Sequence, residues 1–571
     1  MATINHGVRT SETATDLVPT VEIGTAVPLV LGTAPVNLLD DPYSAVNVPR
    51  LCLSYSEAVG YFGFEEAVAT GLYTEDGDEL YQHRYTLSEF FKANYSYSGI
   101  GTCVFINVLD PSKHNTAIET ATVTVSEGQA IIEEAGILRD TLTITASVTS
   151  GDSSSSGSSS GSSSGTSTDS GSTESVEASG GSESADASGG SESTESDGTG
   201  ELQVITAAVA NSSGVVSEVI TYTVDEDFTL AFDEDTGYLV ISSVVGDDDE
   251  QVIPDGTVLT VSGKKIDPSQ VTGDDIIGGV STKNVKSGLE LIEECWSRYV
   301  TVVTMIIAPY FSKDASVAAA MAAKCSYYDG CFSAMALIDA DTEDTTVYSD
   351  VPSYKSTAGI NEPCQIICWP KINFDGVIYN MSTMLACTIA ETDSDAGDFT
   401  HNSPSNKSIN CTGLILADGS EVVLGMEESN YLNAQGIGTC FNFQNGFTYW
   451  GNRTAAYPSN TDVKDAFISV KRTFFHIRNT LTLTSWQFID EPGNRKLIDL
   501  VKTTIKRWLE GHVSLQHLLY GNIEFREEDN DTEGMMDGEY IFKIWMTPPS
   551  PAEQIEHDCE IYTPAYETLF D

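Results

Sequence analysis

The chain has 571 residues, of which 84 are acidic and 28 are basic, so its formal net charge is −56. This charge disfavours nucleic acid and anionic membranes as partners, and the length predicts several domains. Eleven cysteines, an odd number scattered along a long chain, favour reduced and mostly buried thiols over a disulfide framework.

The first segment, residues 1–25, is polar and is expected to be an extended arm. It lacks the basic-then-apolar pattern of a secretion signal, so we expect no export by the Sec pathway. Strands are predicted at 27–32 and 102–108, in one sheet, within a first part of an α/β core at 26–115.

Residues 116–261 are predicted to form an acidic β-rich insertion that faces water. Alternation of apolar and polar residues predicts strands at 141–149, 220–224, 238–244 and 258–261. Residues 116–260 contain 27 acidic residues and one basic residue, Arg139. Residues 151–200 contain 32 serines and glycines and are predicted to be a flexible loop of this insertion.

The α/β core is expected to resume at 262–400. Helical spacing predicts helices at 288–300 and 314–325. Continuous apolar runs predict buried strands at 300–308, 332–338 and 365–369. The run at 300–311 is too short to span a membrane and contains Pro309, so we expect no membrane insertion.

Residues 401–550 are predicted to be a C-terminal α+β domain with an unusual basic region. From Lys464 to Trp508 there are nine basic and four acidic residues, on two predicted amphipathic helices. The first helix leaves Lys464, Lys471 and Arg478 together on the surface. The second is expected to end at Gly511, and its basic residues are Arg495, Lys496, Lys502, Lys506 and Arg507.

A hairpin and a terminal arm are predicted to follow. Alternating segments at 522–526 and 539–546 can pair, and Pro548, Pro549 and Pro551 then break regular structure. Residues 551–571 are expected to be an extended, strand-capable arm without a hairpin partner. Either they add a strand to another subunit or they are frayed ends. The residues assigned to this hairpin and arm are Ile523, Phe525, Ile541, Ile544, Ile561 and Tyr562.

The sequence contains no convincing catalytic, cofactor or metal motif. The string GSSSG at 161–165 matches a hydrolase pattern by chance, because no strand-turn-helix surrounds it. Glycine strings at 99–103 and 436–440 read as tight turns. Cys364 and Cys368 are better explained as buried thiols than as metal ligands. We therefore expect no enzyme activity and no cofactor.

Two further groups are weighed as metal sites and set aside. His512 and His517 are five residues apart, which suits one helix face poorly, so ordinary surface histidines are expected. Residues 529–534 begin like a calcium loop, but Tyr540 stands where a bidentate glutamate is needed. A solvated acidic turn is therefore expected there.

Many short strings, in one order, make the chain similar to the tail sheath proteins of contractile-tailed phages and related injection particles. They cover roughly residues 1–115 and 262–571 and include the following: GVR at 7–9, the strand at 28–32, DDIIGG at 274–279, IAP at 307–309, SPSNK at 403–407, NYLNAQGI at 430–437, WGNRT at 450–454, DEP at 490–492 and PAE at 551–553.

This resemblance implies a structural subunit that stacks in hexameric rings around an inner tube and contracts from a metastable extended state, as in phages and headless tailocin-like particles. It implies that terminal arms exchange strands between subunits, and that insertions such as 116–261 face outward. The implied partners are further copies of the chain, a tube protein, and baseplate and terminator proteins. The implied location is a virion tail or contractile particle, assembled in the bacterial cytoplasm.

We expect the basic helix to face the tube, because a polar contact can hold the tube in the extended state and release it on contraction. The alternative is that the basic face of the helix is only solvated. Two rival functions remain: a surface adhesin or receptor-binding protein that uses the acidic insertion, and an enzyme with an α/β core. The missing secretion signal argues against the adhesin.

Overall fold

The first part of the chain contributes six strands and two helices. The structure is a computed structural model and describes residues 20–74, 77–149, 204–210, 216–233, 236–246, 250–444 and 446–569. The strands are β1 (Pro28–Gly32), β2 (Arg50–Cys52), β3 (Val68–Tyr73), β4 (Glu79–Gln82), β5 (Cys103–Asn107) and β6 (Asn115–Ala117); the helices are α1 (Tyr55–Phe62) and α2 (Thr86–Phe91).

The next part is built mainly of strands. These are β7 (Ala121–Thr124), β8 (Gln129–Ile132), β9 (Thr143–Thr149), β10 (Val204–Ala210), β11 (Val216–Thr223), β12 (Phe228–Phe232), β13 (Leu239–Ser243), β14 (Val258–Ser262) and β15 (Lys264–Ile266). They form a five-stranded sheet, β11-β10-β9-β14-β7, and a three-stranded sheet, β12-β13-β8, while β15 pairs with β6. The four predicted strands are confirmed. The serine-rich residues 151–200, with the string at 161–165, lie outside the described residues.

The two sheets enclose an apolar cluster of their own. Phe228, Leu239 and Leu259 are fully buried in it, and it is separate from the main core of the subunit. In β8 and β14 the buried positions alternate with exposed or half-buried ones, so the other face of each of these two strands is accessible to water.

The chain then returns to alternating helices and strands: α3 (Gly273–Ile277), β16 (Gly279–Val280), β17 (Lys286–Ser287), α4 (Cys295–Tyr299), β18 (Met305–Ile307), α5 (Ala315–Ser326), β19 (Met335–Asp339), α6 (Val351–Thr357), β20 (Gln365–Cys368), β21 (Lys371–Phe374), β22 (Val377–Tyr379) and α7 (Met381–Asp395). Two predictions need correction. The helix predicted at 288–300 is a 3₁₀ helix, Gly288–Glu294, followed by α4. The strand predicted at 300–308 is only β18, because Val300 ends α4 in a left-handed conformation.

The last part contains the longest helices: β23 (Lys407–Ser408), β24 (Gly413–Ile415), β25 (Glu421–Val422), α8 (Met426–Asn433), β26 (Ile437–Asn442), β27 (Phe447–Trp450), α9 (Val463–Ala466), α10 (Ile468–Trp486), α11 (Arg495–Ser514), β28 (Tyr520–Phe525), α12 (Thr532–Met536) and β29 (Phe542–Thr547). Among the helices of the described residues, none is both long enough and apolar enough to cross a membrane.

A nine-stranded sheet forms the main core, in the order β2-β5-β1-β18-β19-β20-β26-β27-β23. Strands β5, β1, β18, β19, β20 and β26 run parallel. β1, β5 and β19 are buried at every position, as expected for strands covered on both faces. The prediction that 27–32 and 102–108 lie in one sheet is confirmed by the pairing of β1 with β5.

The core extends further along the chain than predicted. Strand β26 pairs with β20, and β27 and β23 continue the same sheet. The boundary predicted at residue 400 is therefore wrong for residues 407–450, because the apolar run of β26 is buried in the central sheet. α11, β28 and β29 share a small core of their own with part of α10.

Candidate assembly surfaces

The basic helix α11 buries one face and presents its charges on the other. Asn494 caps it by accepting a hydrogen bond from the Leu497 amide, 3.1 Å away. Val501, Ile505 and Trp508 are buried, as the apolar stripe predicts. Of the predicted tube-facing residues, Lys502 is half-buried and four are exposed: Arg495, Lys496, Lys506 and Arg507. The helix does not end at Gly511 but continues to Ser514.

Salt bridges within α11 reduce its positive charge only slightly. Arg495 lies 3.8 Å from Asp499 and Lys506 lies 3.9 Å from Glu510, both one helical turn away. Such exposed pairs contribute little to stability and leave both side chains available to a partner. The solvent face of α11 is therefore a cationic surface on a strongly acidic chain.

Of the predicted surface group, Lys464 and Arg478 are exposed, whereas Lys471 is not. Arg472 is buried and paired with Asp393, at 2.9 Å from Nη1 to Oδ1. Lys471 lies 2.7 Å from Asp465 and is largely buried, and Lys464 contacts the same carboxylate at 3.6 Å. Two charges of α10, those of Arg472 and Lys471, are therefore neutralised inside the subunit.

The predicted hairpin is present as β28 and β29. Ile523 pairs with Ile544 and Phe525 with Phe542. Ile523 is buried in the small core, whereas Ile541 lies just before β29 and is exposed. Within the described residues, β28 and β29 pair only with each other, so both outer edges offer free main-chain donors and acceptors.

The acidic segment between these strands is more ordered than the predicted turn. It forms a 3₁₀ helix, Glu527–Asp529, and the short helix α12, which Asp531 caps. The Arg526 guanidinium pairs with Asp529. In the part of the chain that the structure describes, no three metal-ligating side chains are grouped closely enough to hold an ion.

His512 and His517 are not the separate surface histidines that the spacing predicted. Their Nδ1 atoms are 3.1 Å apart, and both rings stack on Phe399, with centroids 4.4 and 4.7 Å away. His476 meets the same phenyl ring edge-on, and His401 stacks on His517. Spacing gave no signal for this cluster, since its members come from three separate segments of the chain.

The histidine cluster is held in its neutral form. Burial lowers the pKa of His476 to about 3 and that of His512 to about 4. The neighbouring Arg472 and His512 lower the pKa of His476 further, and His517 and His401 act on His512 in the same direction. The cluster joins α11 to α10 and to the loop after α7.

Two carboxylates are buried where a parallel sheet often places an active site, at the N-terminal end of α7. Glu89 accepts hydrogen bonds from the Asn380 amide (2.8 Å) and the Thr383 hydroxyl (2.9 Å). Asp339 accepts two from Ser382. Burial raises the pKa of Glu89 to about 7. The cavity beside Asp339 is about 10 Å³, room for one water and not for a substrate.

The cysteines are free thiols, and eight of the eleven are buried, including Cys364 and Cys368. Burial raises the pKa of both, so they stay protonated at neutral pH. This agrees with the interpretation of these residues as core thiols.

The C-terminal arm leaves the body at Glu553. Its carboxylate accepts hydrogen bonds from Nε and Nη2 of Arg453, the first at 2.8 Å. Beyond that point the apolar side chains of the arm are exposed, with Ile561 and Tyr562 at 75% and 74%. The described arm pairs with no strand and ends in a 3₁₀ helix, Thr563–Leu569.

Comparison with known proteins points to one family. No protein-family model matches the chain. The tail sheath protein of Burkholderia phage BcepMu is 24% identical over 569 residues, 97% of this chain and 96% of that protein. A prophage major tail sheath protein of Pseudomonas aeruginosa is 23% identical over 315 residues, 53% of this chain and 76% of that one. The resemblance to contractile tail sheath proteins is confirmed.

The fold agrees with the sequence similarity to tail sheath proteins. The sheath of the PVC extracellular contractile injection system, solved in the contracted state, aligns over 99% of both chains with a TM-score of 0.50 and 12% identity. The mixed α+β, multidomain fold predicted from the sequence is therefore that of a contractile sheath subunit.

Several strings that carry the sheath resemblance meet in space. Asn433 exchanges hydrogen bonds with Asn452, and the Trp450 indole donates to Asn430, so the strings at 430–437 and 450–454 are fastened together. The string at 551–553 joins them through Arg453 and Glu553. In the sequence these strings are separate markers, and nothing in their spacing indicates that they form one site.

Proposed function

We propose that the chain is the structural subunit of a contractile tail sheath. Stacked hexameric rings surround an inner tube in a metastable extended state, and contraction drives the tube through the envelope of a target cell. The observation that carries this proposal is the match along 97% of this chain and 96% of a phage tail sheath protein. The shared fold with a contracted sheath supports it.

In this proposal the cationic face of α11 meets the tube. The motivation is its charge: Arg495, Lys496, Lys506 and Arg507 are exposed in a chain of net charge −56. A polar, charged contact holds the tube without the large apolar area of a permanent interface, so it can be released when subunits move outward during contraction.

The arms connect the subunits. The C-terminal arm, residues 551–571, adds a strand to a free edge of the β28–β29 hairpin of a neighbouring copy, and the N-terminal arm, residues 1–25, acts similarly. The support is the exposure of Ile561 and Tyr562 and the unpaired hairpin edges within the described residues. Main-chain hydrogen bonds of this kind contribute about 0.5–1.5 kcal/mol each.

The acidic insertion, residues 116–261, faces outward, away from the tube. Its charge supports this placement, since 27 acidic residues beside one basic residue favour water over a protein interface. The sheath also meets baseplate and terminator proteins at its two ends. It assembles in the bacterial cytoplasm as part of a tail or particle, with no catalytic step; its energy is stored during assembly.

Electron microscopy of the purified full chain tests the proposal. A sheath subunit forms hollow tubes, and more of them when the tube protein is present. The rival function, an adhesin that acts through the acidic insertion, predicts single particles that bind cells and never form tubes. Single particles under every assembly condition tested would therefore contradict the proposal.

A further inference from the structure

The contact at the base of the C-terminal arm is built differently from an ordinary surface ion pair. The Arg453 guanidinium uses two of its nitrogens to bind both oxygens of Glu553. It also lies over two rings, 4.3 Å from the centroid of Tyr457 and 3.9 Å from that of Phe467. Forked pairs with planar stacking are stronger and more directional than single-point surface pairs.

The backbone that carries Arg453 is fixed on both sides. The amide of Ile468 donates to the carbonyl of Asn452 at 3.0 Å, and the amide of Thr454 donates to the carbonyl of Ala466 at 3.0 Å. The side chain of Arg453 is only 14% exposed. The guanidinium is therefore held in place by α9, α10 and the rings, so Glu553 meets a rigid receptor.

After Glu553 the arm has no comparable attachment. In the described part of the subunit, no residue from 554 to 562 forms a hydrogen bond or ion pair with the body. The arm contains further acidic residues at Glu556, Asp558 and Glu560, all exposed. Among these four acidic residues of the described arm, only Glu553 has a basic partner.

We propose that Arg453 and Glu553 form an anchor that fixes where, and in which direction, the C-terminal arm leaves its subunit. The inference rests on the proposed function, because the arm needs a neighbour to receive it. A strand shifted by one residue turns its other face to the partner, so a defined starting point selects the pairing register. Seven residues lie between Glu553 and Ile561, so the two Cα atoms are at most about 28 Å apart.

The anchor also raises the chance that the arm finds its partner. An unanchored arm of the same length begins from a variable point and samples a larger volume, which lowers its effective concentration at the acceptor edge. Ordering it on binding then costs more conformational entropy. Loss of the anchor should therefore weaken polymerisation without changing the fold of the body.

Three variants test the anchor. Glu553→Gln and Arg453→Lys each remove the forked ion pair, and Glu556→Gln makes the same charge change as the first variant three residues further along the arm. Cys559, the exposed cysteine of the arm, takes a nitroxide spin label, while eight of the other ten thiols are buried. Label mobility in the monomer reports on the anchor, and light scattering of unlabelled protein reports on polymerisation. Circular dichroism checks that each variant is folded.

The anchor predicts greater label mobility in Glu553→Gln and Arg453→Lys, and a roughly tenfold higher protein concentration for polymerisation, which corresponds to loss of one forked pair. Glu556→Gln should match the wild type in both measurements. Equal mobility and equal polymerisation in all three variants would overturn the anchor. If the wild type itself does not polymerise, the proposed function fails, and the mobility measurement still decides whether the anchor exists.

Discussion

Single buried residues connect parts of the subunit that are far apart in sequence. Arg472 on α10 pairs with Asp393 on α7 and donates to the carbonyl of Thr25, near the start of the described chain. Glu89 on α2 binds Asn380, so a residue before the insertion is tied to one after it. Removing one partner of a buried ion pair costs about 3–5 kcal/mol, so such contacts strongly favour one arrangement of these segments.

The sequence does not reveal contacts of this kind. Helical spacing counted Arg472 and Lys471 as part of a basic region, because periodicity shows which positions are apolar and not which charges are paired. The partner of Arg472 is 79 residues away. For the same reason His401 and His517 could not be placed together from their positions in the chain.

The histidine cluster should make the subunit sensitive to acid. His476 stays neutral in the folded state down to about pH 3, whereas its ordinary pKa is 6.5. Below pH 6.5 the unfolded chain binds a proton that the folded subunit excludes, so stability is complete above that pH and declines as the pH falls. We expect the His476 contribution to lower the free energy of unfolding by about 2 kcal/mol at pH 5 relative to pH 7.5.

Urea denaturation of the dissociated subunit at the two pH values measures this effect. The variant His476→Gln should lose less stability on acidification than the wild type. His557→Gln, in the exposed arm, should behave as the wild type does. If all three proteins lose the same stability, the cluster is not the acid-sensitive part of the subunit.

At the scale of whole elements, the sequence predicts which face of a helix is buried better than it predicts where the helix ends. The stripe of Val501, Ile505 and Trp508 is buried as expected, because apolar spacing determines which side of a helix packs. α11 continues beyond Gly511, where its end was expected, because His512 packs against Phe399 and Trp508 and these tertiary contacts extend the helix. The ends of elements depend on such contacts, which spacing does not encode.

Charge reversal on α11 tests its contact with the tube. The double variant Lys496→Glu and Arg507→Glu should weaken assembly around the tube protein at least tenfold, because two attractive contacts per subunit become repulsive. Monomer stability should change by less than about 1 kcal/mol, since exposed charges contribute little. Cosedimentation with tube protein measures the first effect and thermal unfolding the second.

The control for this experiment is Lys283→Glu with Lys407→Glu, which makes the same change in net charge at two exposed lysines away from α11. It should assemble as the wild type does. Equal loss of assembly in both double variants would show that net charge, and not the position of α11, is responsible.

The arm is tested by deletion. A chain ending at residue 555 keeps the anchor pair and loses Ile561 and Tyr562, so it should remain a folded, soluble monomer that no longer polymerises. Analytical ultracentrifugation measures the polymer fraction, and circular dichroism the fold. A matched chain in which residues 556–571 are replaced by glycine and serine of equal length separates loss of sequence from loss of length. Tubes formed by either protein would contradict strand exchange.

At the scale of the whole molecule, the negative charge of each subunit opposes contact between copies in the proposed sheath. A subunit of −56 repels its neighbours, and nearly half of that charge lies in residues 116–260. Repulsion between exposed charges falls off over about 8–10 Å at physiological salt. An insertion that faces outward therefore keeps its acidic residues apart and leaves the contacts between bodies to the core and the arms.

Composition and patterning anticipated much of this organisation. The acidic strands form sheets with their own apolar cluster, and the predicted buried strands lie in the central sheet. What the sequence did not show was that β26 and β27 complete that sheet. A short apolar run gives no information on which strand it pairs with, since pairing between distant strands is decided by the tertiary fold.

The serine-rich segment, residues 151–200, should be dispensable for assembly. Replacing residues 151–200 with a short glycine–serine linker removes nine acidic residues and changes loop-closure entropy only slightly. We expect tubes to form, and at lower salt than the wild type requires. A salt series followed by light scattering measures this, and failure to fold or polymerise would show that the segment is required for folding or assembly.

The most direct test of the sheath proposal is a cryo-electron microscopy reconstruction of the assembled protein. We expect a hollow helical polymer of six-fold rings. We expect the basic face of α11 on its inner surface, the acidic insertion on the outside, and residues after Glu553 paired with the β28–β29 hairpin of a neighbouring subunit. A reconstruction in which the arm folds back on its own subunit and α11 lies on the outer surface would contradict it.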